Sequence, residues 1–275
     1  NVVEVGDNFL NKNKSLSKIS MDNVKVIGKN FLEYNDSIEE ISLLNVERIG
    51  YGFMFNSNNP KMKKINMPKV EIIGNSFMFS NYSVMEVFMP NVKSIGNNFF
   101  IFNSIISTLN LPLVETIGDS FLENNELLYK LYLPNVTNIG YNFLKKNQVL
   151  KKIVIPNVVE LNTGALQFNN SLEELYVPKV VKIGDDVLKY NNTLTEFESL
   201  YLEEIGKNFL EYNRWLEKFI APNLRKIGLY MLSVNDVLID IDVSNLMDEY
   251  KDNLSKHMKE MLKQETPYTL KLVKQ

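Results

Sequence analysis

The chain has 275 residues, of which 45 % are hydrophobic and 23 % are charged, and its formal net charge is −3. This composition is ordinary for a folded soluble protein. The 30 basic and 33 acidic residues are mixed along the chain, so the sequence lacks the basic stripe of a nucleic-acid binder and the polybasic cluster of a membrane-surface protein. The absence of cysteine excludes disulfides and thiolate metal sites, and no apolar run is long enough for a transmembrane helix.

A glycine, usually preceded by isoleucine, recurs every 22 residues along most of the chain. One step, from Gly50 to Gly74, is two residues longer, and Asn162 stands where one glycine is expected. A fixed period of this length indicates a solenoid, in which each repeat packs only on its neighbours and the stack presents one long surface. The recurring glycines are Gly6, Gly28, Gly50, Gly74, Gly96, Gly118, Gly140, Gly184, Gly206 and Gly228.

The first part of each unit, numbered from its glycine, predicts a short helical turn. Position 3 is mostly Asn, Ser or Asp, which we interpret as an N-cap, and position 8 is almost always Asn, which we interpret as the left-handed end of the turn. The glycine itself is expected at positive φ. Position 4 is most often Phe and is expected to form a continuous core column.

The Asn residues at position 8 are also predicted to form an inward ladder that bonds the backbone of adjacent turns. Five of them begin glycosylation sequons. An inward side chain would make those sequons unavailable, so we draw no conclusion about secretion from them. They start at Asn13, Asn35, Asn81, Asn169 and Asn191.

The second part of each unit alternates apolar and polar residues with period two, as in Leu128 to Leu133, and predicts a short strand. A proline follows in most units and ends the strand, because proline lacks the N–H that a ladder needs. Strands of successive units should pair in parallel, about 4.8 Å apart.

Residues 1–245 are therefore expected to form the solenoid and residues 246–275 a C-terminal cap. Leu246, Tyr250, Leu254 and Met258 have the spacing of an amphipathic helix, Pro267 ends it, and residues 268–272 alternate like a strand. A solenoid needs a terminal cap with a polar outer face. The alternative is that this helix seats a partner. The chain begins in mid-repeat without an initiator Met, so we interpret it as a piece of a longer product and leave the compartment open.

The unit resembles the leucine-rich repeat of bacterial BspA-like surface antigens, whose pattern is L-x-x-I-x-I-P-x-x-V-x-x-I-G-x-x-A-F-x-x-C. Residues 131–147 match it with two departures, Phe143-Leu144 for Ala-Phe and Asn147 for Cys. The resemblance covers about residues 1–245. It implies an α/β solenoid of about eleven repeats, with a parallel sheet on the concave side and short helical turns on the convex side.

Function is expected on the outward strand positions 12, 13 and 15, which line the concave face of such a stack. Position 15 is apolar or aromatic in the middle of the chain and polar at both ends. Aromatic side chains on a wet surface are common interface anchors. The alternative is that they only stabilise the sheet. The candidate ligand-binding residues are Met85, Phe88, Tyr129, Tyr132, Val154, Tyr176 and Ile220.

Charged blocks on the same positions are predicted to pair across strands. Glu39-Glu40 should lie beside Lys63-Lys64, and Lys151-Lys152 beside Glu173-Glu174. Acidic residues gather on the last strands, but their spacing matches no EF-hand loop and Lys218 lies among them, so we expect no metal there. These acidic residues are Glu196, Glu198, Asp236, Asp240 and Asp242.

No catalytic motif is present. His257 is the only histidine and lies on the predicted cap helix, and the sequence has no G-x-S-x-G, Walker loop or dinucleotide fingerprint. Trp215, the only tryptophan, is expected to pack over a neighbouring turn. We therefore predict a non-enzymatic module without a cofactor.

As the resemblance implies, the leading hypothesis is a bacterial cell-surface adhesion or interaction protein, monomeric, that binds a protein (a host or matrix protein among the options) or a glycan. An intracellular or secreted effector or scaffold is the first alternative. A structural spacer that carries another domain is the second. The sequence does not identify the ligand.

Overall fold

The computed structural model describes residues 2–57, 59–235, 237–250 and 269–271. The chain forms a parallel β-solenoid of about eleven turns, and most turns contribute one strand of two residues and one of three. The two-residue strands are β1 (Glu4–Val5), β3 (Val26–Ile27), β5 (Arg48–Ile49), β7 (Ile72–Ile73), β9 (Ser94–Ile95), β11 (Thr116–Ile117), β13 (Asn138–Ile139), β15 (Glu160–Leu161), β17 (Lys182–Ile183), β19 (Glu204–Ile205) and β21 (Lys226–Ile227).

The three-residue strands lie on another side of the solenoid and correspond to the strands expected from the sequence. Within the repeats, each ends two residues before the proline position, and β23 follows the repeats. They are β2 (Lys18–Ser20), β4 (Glu40–Ser42), β6 (Lys64–Asn66), β8 (Glu86–Phe88), β10 (Thr108–Asn110), β12 (Lys130–Tyr132), β14 (Lys152–Val154), β16 (Glu174–Tyr176), β18 (Glu196–Glu198), β20 (Lys218–Ile220), β22 (Asp240–Asp242) and β23 (Thr269–Lys271).

All strand pairing is parallel, and each residue faces its equivalent one repeat away, as Tyr132 faces Val154 and Val154 faces Tyr176. The sheet of three-residue strands is interrupted between β4 and β6, where the two extra residues of the Gly50–Gly74 repeat lie, and again after β10 and β16. Because paired strands stack in register, residues at the same repeat position form columns along the solenoid.

Apolar columns fill the interior. The phenylalanines at position 4 form a stack in which neighbouring rings are nearly parallel: the centroids of Phe53 and Phe77 are 4.9 Å apart and those of Phe99 and Phe121 are 5.3 Å apart. From Phe31 to Phe143 the members of this column are fully buried. Burial of each ring contributes about 1.5–3 kcal/mol, so this column is a main source of stability.

The helical turns predicted at positions 3 to 8 are wrong. These residues form a chain of tight turns in which positions 3, 5 and 7 have positive φ, as at Asn142 (φ 55), Leu144 (φ 53) and Lys146 (φ 61). Asn, Asp, Ser and Gly at position 3 suit both an N-cap and the left-handed region, so composition alone did not separate the two. The alternation turns N–H groups towards both neighbouring turns, and Leu144 N–H donates to the carbonyl of Phe121 at 3.0 Å.

The expected positive φ of the position-1 glycine is also wrong, since the only glycines with positive φ are Gly52 and Gly164, both at position 3. The glycines at position 1 are needed for close approach instead. A Cβ built on Gly140 would lie 2.4 Å from the backbone N of Asp119 and 2.4 Å from the carbonyl carbon of Gly118. Real Cβ atoms do not approach backbone that closely, so this column keeps adjacent turns in contact.

The predicted Asn ladder at position 8 is confirmed. Asn35, Asn147 and Asn191 are fully buried, and each donates from Nδ2 to the carbonyl of position 5 in the preceding turn, at 2.8, 2.9 and 2.8 Å. Position 8 is not in the left-handed region at the described residues. Of the five predicted inward sequon asparagines, four are fully buried and Asn13 is half-buried.

Two further ladders of short polar side chains support the stack. At position 2, Asp119 Oδ1 accepts from the backbone N–H of Tyr141 at 2.8 Å, and Asp185 Oδ1 accepts from that of Lys207 at 2.7 Å. At position 18, Asn135 Nδ2 donates to the carbonyl of Pro112 at 2.8 Å. Backbone groups that the short strands leave unpaired are therefore bonded by side chains of a neighbouring turn.

The last strand of the repeats is β22 (Asp240–Asp242), and the predicted boundary at residue 245 stays a prediction. Residues 248–250 are helical, and the rest of the predicted cap helix, including His257, lies outside the described residues. The predicted C-terminal strand is present as β23, which pairs in parallel with β22 and extends the sheet.

The position-8 ladder predicts the effect of Asn169→Ala. Asn169 Nδ2 donates to the carbonyl of Leu144 at 3.0 Å, and its Oδ1 accepts from the backbone N–H of Asn147 at 2.6 Å, all within the buried core. Loss of both bonds should lower the free energy of unfolding by about 3 kcal/mol. The matched control is Asn170→Ala, an exposed neighbour, which should change it by less than about 0.5 kcal/mol. Equal effects of the two variants in urea denaturation would contradict the ladder.

The glycine column predicts that Gly140→Ala destabilises the chain by about 2 kcal/mol or more, since the new methyl group meets the backbone of Gly118 and Asp119 and not only the movable Asp119 side chain. Gly6 occupies the same position in its repeat but has nothing within 4 Å of an added Cβ. Gly6→Ala should therefore be nearly neutral. Thermal unfolding of both variants checks the difference, and a neutral Gly140→Ala would show that the turns can separate without cost.

Candidate functional site

The outward side chains at positions 13 and 15 of the three-residue strands, together with position 12 directly before each strand, form the surface that we call the strand face. In β12 the central Leu131 is buried and its neighbours Lys130 and Tyr132 are exposed, and the same alternation recurs from turn to turn. The core fixes the inward position of each strand, whereas these outward positions are free to carry other chemistry.

The centre of the strand face carries an apolar strip formed by Tyr132, Val154 and Tyr176. These three residues are directly opposite one another on β12, β14 and β16. Tyr132 is 63 % exposed and Tyr176 is 55 % exposed, while Val154 between them is half-buried. With a strand separation of about 4.8 Å, the two tyrosines are about 10 Å apart at the backbone, on either side of the smaller Val154.

The other sequence-predicted residues are exposed or half-buried but do not join this strip. Phe88 is flanked by Asn66 and Asn110, and Met85 lies on the same turn as Phe88. Ile220 is half-buried between Glu198 and Asp242. The sequence therefore identified surface residues correctly, but the structure brings together Tyr132, Val154 and Tyr176 rather than all seven.

Tyr129 lies beside the strip and takes part in a charged cluster. Lys151 Nζ is 5.9 Å from the centre of the Tyr129 ring and 2.7 Å from a carboxylate oxygen of Glu173. The hydrogen bond and charge of Glu173, together with Tyr129, raise the pKa of Lys151 above its usual value. The Lys151 ammonium therefore lies between the Tyr129 ring and the Glu173 carboxylate and interacts with both.

The predicted cross-strand ion pairs are confirmed in the middle of the chain and are wrong near its start. Lys151 pairs with Glu173 and Lys152 pairs with Glu174. The two extra residues between Gly50 and Gly74 displace the expected partners of the first block, so Glu39 pairs with Lys61 at 2.5 Å. Glu40 pairs instead with Lys18, and Lys64 with Glu86. Exposed pairs of this kind contribute about 0–1 kcal/mol each and set register more than stability.

Sequence reasoning missed an exposed apolar column at position 10, just before the three-residue strands. Leu127 is 45 % exposed, Val149 is 38 % exposed, and Trp215 is 61 % exposed, so the expected packing of Trp215 over a neighbouring turn is wrong. Ile239, at position 12 of the last full repeat, is also exposed. The signal that was missed is the recurrence of apolar residues at position 10. Polar residues at position 10 of other repeats obscured it.

The two-residue strands β15, β17, β19 and β21 bound an open groove of about 470 Å³, whose floor is the glycine column from Gly184 to Gly228. The charged residues at its rim form ion pairs with one another: Lys182 pairs with Glu160 at 3.0 Å, and Lys226 pairs with Glu204 at 2.9 Å. The hydrogen bond and charge of Lys226 lower the pKa of Glu204. This groove therefore offers a ligand little unpaired charge.

Metal-binding clusters and membrane spans are absent from the part of the chain that the structure describes. No group of three or more His, Asp or Glu residues there could hold a metal ion. No helix among the described residues has the length and apolar character needed to cross a bilayer.

A family model described as BspA type leucine rich repeat region matches the chain in six copies, over residues 1–81, 71–195 and 164–273. Among curated proteins no match is found. Among solved structures, the chain is similar to a leucine-rich repeat protein from Bacteroides ovatus, with 17 % identity, a TM-score of 0.50, and coverage of 99 % of this chain and 88 % of that one. It is also similar to a leucine rich cell surface protein from Faecalibacterium prausnitzii, with 16 % identity, a TM-score of 0.41, and coverage of 92 % and 85 %. At these identities the likeness concerns the fold alone.

The spread of the acidic residues predicts that calcium does not stabilise the chain. Glu198 pairs with Lys218 at 3.6 Å, and Asp242 accepts hydrogen bonds from the backbone and hydroxyl of Ser244. Neither carboxylate is arranged with the six to eight oxygens that calcium requires. Millimolar calcium should therefore leave the melting temperature unchanged, with magnesium as the control. A rise with calcium alone would reveal a site on the last strands.

Proposed function

Because the chain belongs to the BspA-type leucine-rich repeat family, we propose that it is a non-enzymatic binding module for a protein or glycan ligand. Leucine-rich repeat families typically bind rather than catalyse, and the long in-register surface of a solenoid suits that role. The proposed binding surface is the strand face, centred on the strip of Tyr132, Val154 and Tyr176.

The observation that carries this proposal is the exposure of the two tyrosines of the strip. Tyrosine supplies a large apolar area with little loss of side-chain entropy and adds a hydroxyl for hydrogen bonding, which is why it is enriched at interface hot spots. If these rings served only to stabilise the sheet, contact with Val154 would cover more of their area than the 63 % and 55 % exposures allow.

We further propose that the module acts at the bacterial cell surface or is secreted, as the resemblance to BspA-like surface antigens implies. Met85, Phe88, Tyr129 and Ile220 remain proposed contributors around the strip. The alternatives are an intracellular or secreted scaffold and a structural spacer. A scaffold would use the same surface in another compartment. A spacer would have a strand face that binds no partner selectively.

The proposal predicts that Tyr132→Glu combined with Tyr176→Glu abolishes ligand binding without unfolding the chain. Both side chains lie outside the core, so the melting curve followed by circular dichroism should shift little. Two carboxylates in the apolar strip should weaken a contact centred there by about a hundredfold or more. The measurement is capture of partners from host-cell lysate, matrix extract and a glycan array by the purified chain.

The matched control is Tyr141→Glu combined with Tyr201→Glu, which introduces the same charges at tyrosines that are 55 % and 62 % exposed but lie off the strand face. Partners retained by wild type and control and lost by the strip variant support the proposal. A collapse of the strip variant's melting curve would show that the tyrosines belong to the core, and equal capture by all three proteins would favour the spacer.

A further inference from the structure

At the C-terminal end of the chain's strand face, together with the adjoining position 10, exposed apolar side chains lie among carboxylates. Trp215 is 61 % exposed and Ile239 is 47 % exposed. Glu196 and Glu217 lie on the same end and are both exposed. Tryptophan is the residue type most strongly enriched at interface hot spots, and a monomer surface rarely leaves it this open without a use.

The backbone places these four residues next to one another. Glu217 N–H donates to the carbonyl of Thr195 at 2.8 Å, and Ile239 N–H donates to the carbonyl of Glu217 at 2.9 Å, so Ile239 and Glu217 occupy equivalent positions on adjacent turns. Glu196 follows Thr195 directly and faces Lys218, the residue after Glu217, across the β18–β20 pair. Trp215 precedes Glu217 by two residues, with buried Leu216 between them, so both point outward.

Two carboxylates at this end have no ion pair within the described residues. Elsewhere on the strand face, glutamates are paired with lysines on neighbouring strands, as Glu173 and Glu174 are. Lys218, the one lysine on β18, β20 and β22, reaches Glu198 at 3.6 Å, and neither Glu196 nor Glu217 forms an ion pair in the part of the chain described. Asp242 is not included, since its carboxylate accepts hydrogen bonds from the backbone N–H and the hydroxyl of Ser244.

We infer that Trp215, Glu196, Glu217 and Ile239 form a docking surface for a basic segment of a partner protein, with arginine as its main contact residue. A guanidinium can stack on the exposed indole and at the same time bond a carboxylate of the adjacent strand. Ile239 provides apolar area beside it for an aliphatic side chain or for the methylene stem of a lysine. The inference rests on the proposal that the strand face is the binding surface, and it specifies the chemistry of the protein ligand.

Charge complementarity favours this occupant over the others. An anionic glycan or nucleic acid would be repelled by the unpaired carboxylates, and a neutral glycan would bond them through its hydroxyl groups but would supply no positive charge. A bound calcium ion would use the carboxylates but would give no role to the exposed Trp215 and Ile239. A basic peptide segment uses both the charges and the apolar residues.

The experiment uses the intrinsic fluorescence of Trp215, which is the only tryptophan of the chain and therefore reports on this surface alone. The probes are nonaarginine, nonalysine and nonaglutamate peptides, titrated at roughly physiological ionic strength, where nonspecific attraction is screened. Saturable quenching by nonaarginine, weaker quenching by nonalysine and none by nonaglutamate are expected. Absence of saturable binding by nonaarginine overturns the inference.

Two variants show whether the binding belongs to this surface. Glu196→Gln combined with Glu217→Gln should raise the Kd for labelled nonaarginine, measured by anisotropy, by about tenfold, and Trp215→Ala should raise it by about fivefold. Glu115→Gln combined with Glu203→Gln makes the same change of net charge at exposed glutamates off the strand face and should leave the Kd unchanged. Equal weakening by the charge-matched control would show general attraction to an acidic protein and overturn the inference.

The same variants separate this inference from the proposal on which it rests. Partners whose capture depends on Tyr132 and Tyr176 but not on Glu196 and Glu217 would uphold the binding module and overturn the basic-segment docking surface. Specific loss of nonaarginine binding in the Glu196/Glu217 variant, with no capture that depends on Tyr132 and Tyr176, would uphold the docking surface and move the module's binding site away from the central strip.

Discussion

The spacing between successive turns is the constraint on which the rest of this molecule depends. Parallel strands require a separation of about 4.8 Å, and a closed turn must keep that separation around its whole circumference, not only where it is a strand. The glycine column removes side chains where backbone meets backbone, and the flat rings of the phenylalanine column fill the interior at a centroid separation close to the strand spacing. Both the glycine column and the phenylalanine column therefore follow from the separation between adjacent turns.

Short polar side chains solve the hydrogen-bonding problem that this spacing creates. Strands of two or three residues bond only part of each turn, and the remaining backbone groups would be left without partners near the core. Asx residues at positions 2, 8 and 18 reach exactly one turn along the stack and bond those groups. The asparagine content of the chain is thus a structural property, comparable in importance to its leucine and phenylalanine.

The repeat, the strands, the buried phenylalanines and the asparagine ladder were predictable, because each depends on a residue type that recurs at a fixed position of the 22-residue unit. This recurrence did not predict the backbone at positions 3 to 7, since Asn and Ser favour both helix N-caps and left-handed residues and only the contacts with neighbouring turns decide between them. On the strand face the outward positions could be read from the alternation. The exposure of Trp215 could not, because it depends on how little of the indole the adjacent loop covers.

The burial of the position-8 asparagines has a consequence for how the chain can be made. These sequons are unavailable in the folded chain, but oligosaccharyltransferase in the eukaryotic secretory pathway acts on the nascent polypeptide, before the asparagines are buried. A glycan attached at Asn35, Asn81, Asn169 or Asn191 would occupy a side chain that must enter the core. Secretion from yeast, insect or mammalian cells should therefore trap the chain in misfolded, glycosylated forms, whereas a bacterial host without this enzyme leaves the ladder free to assemble.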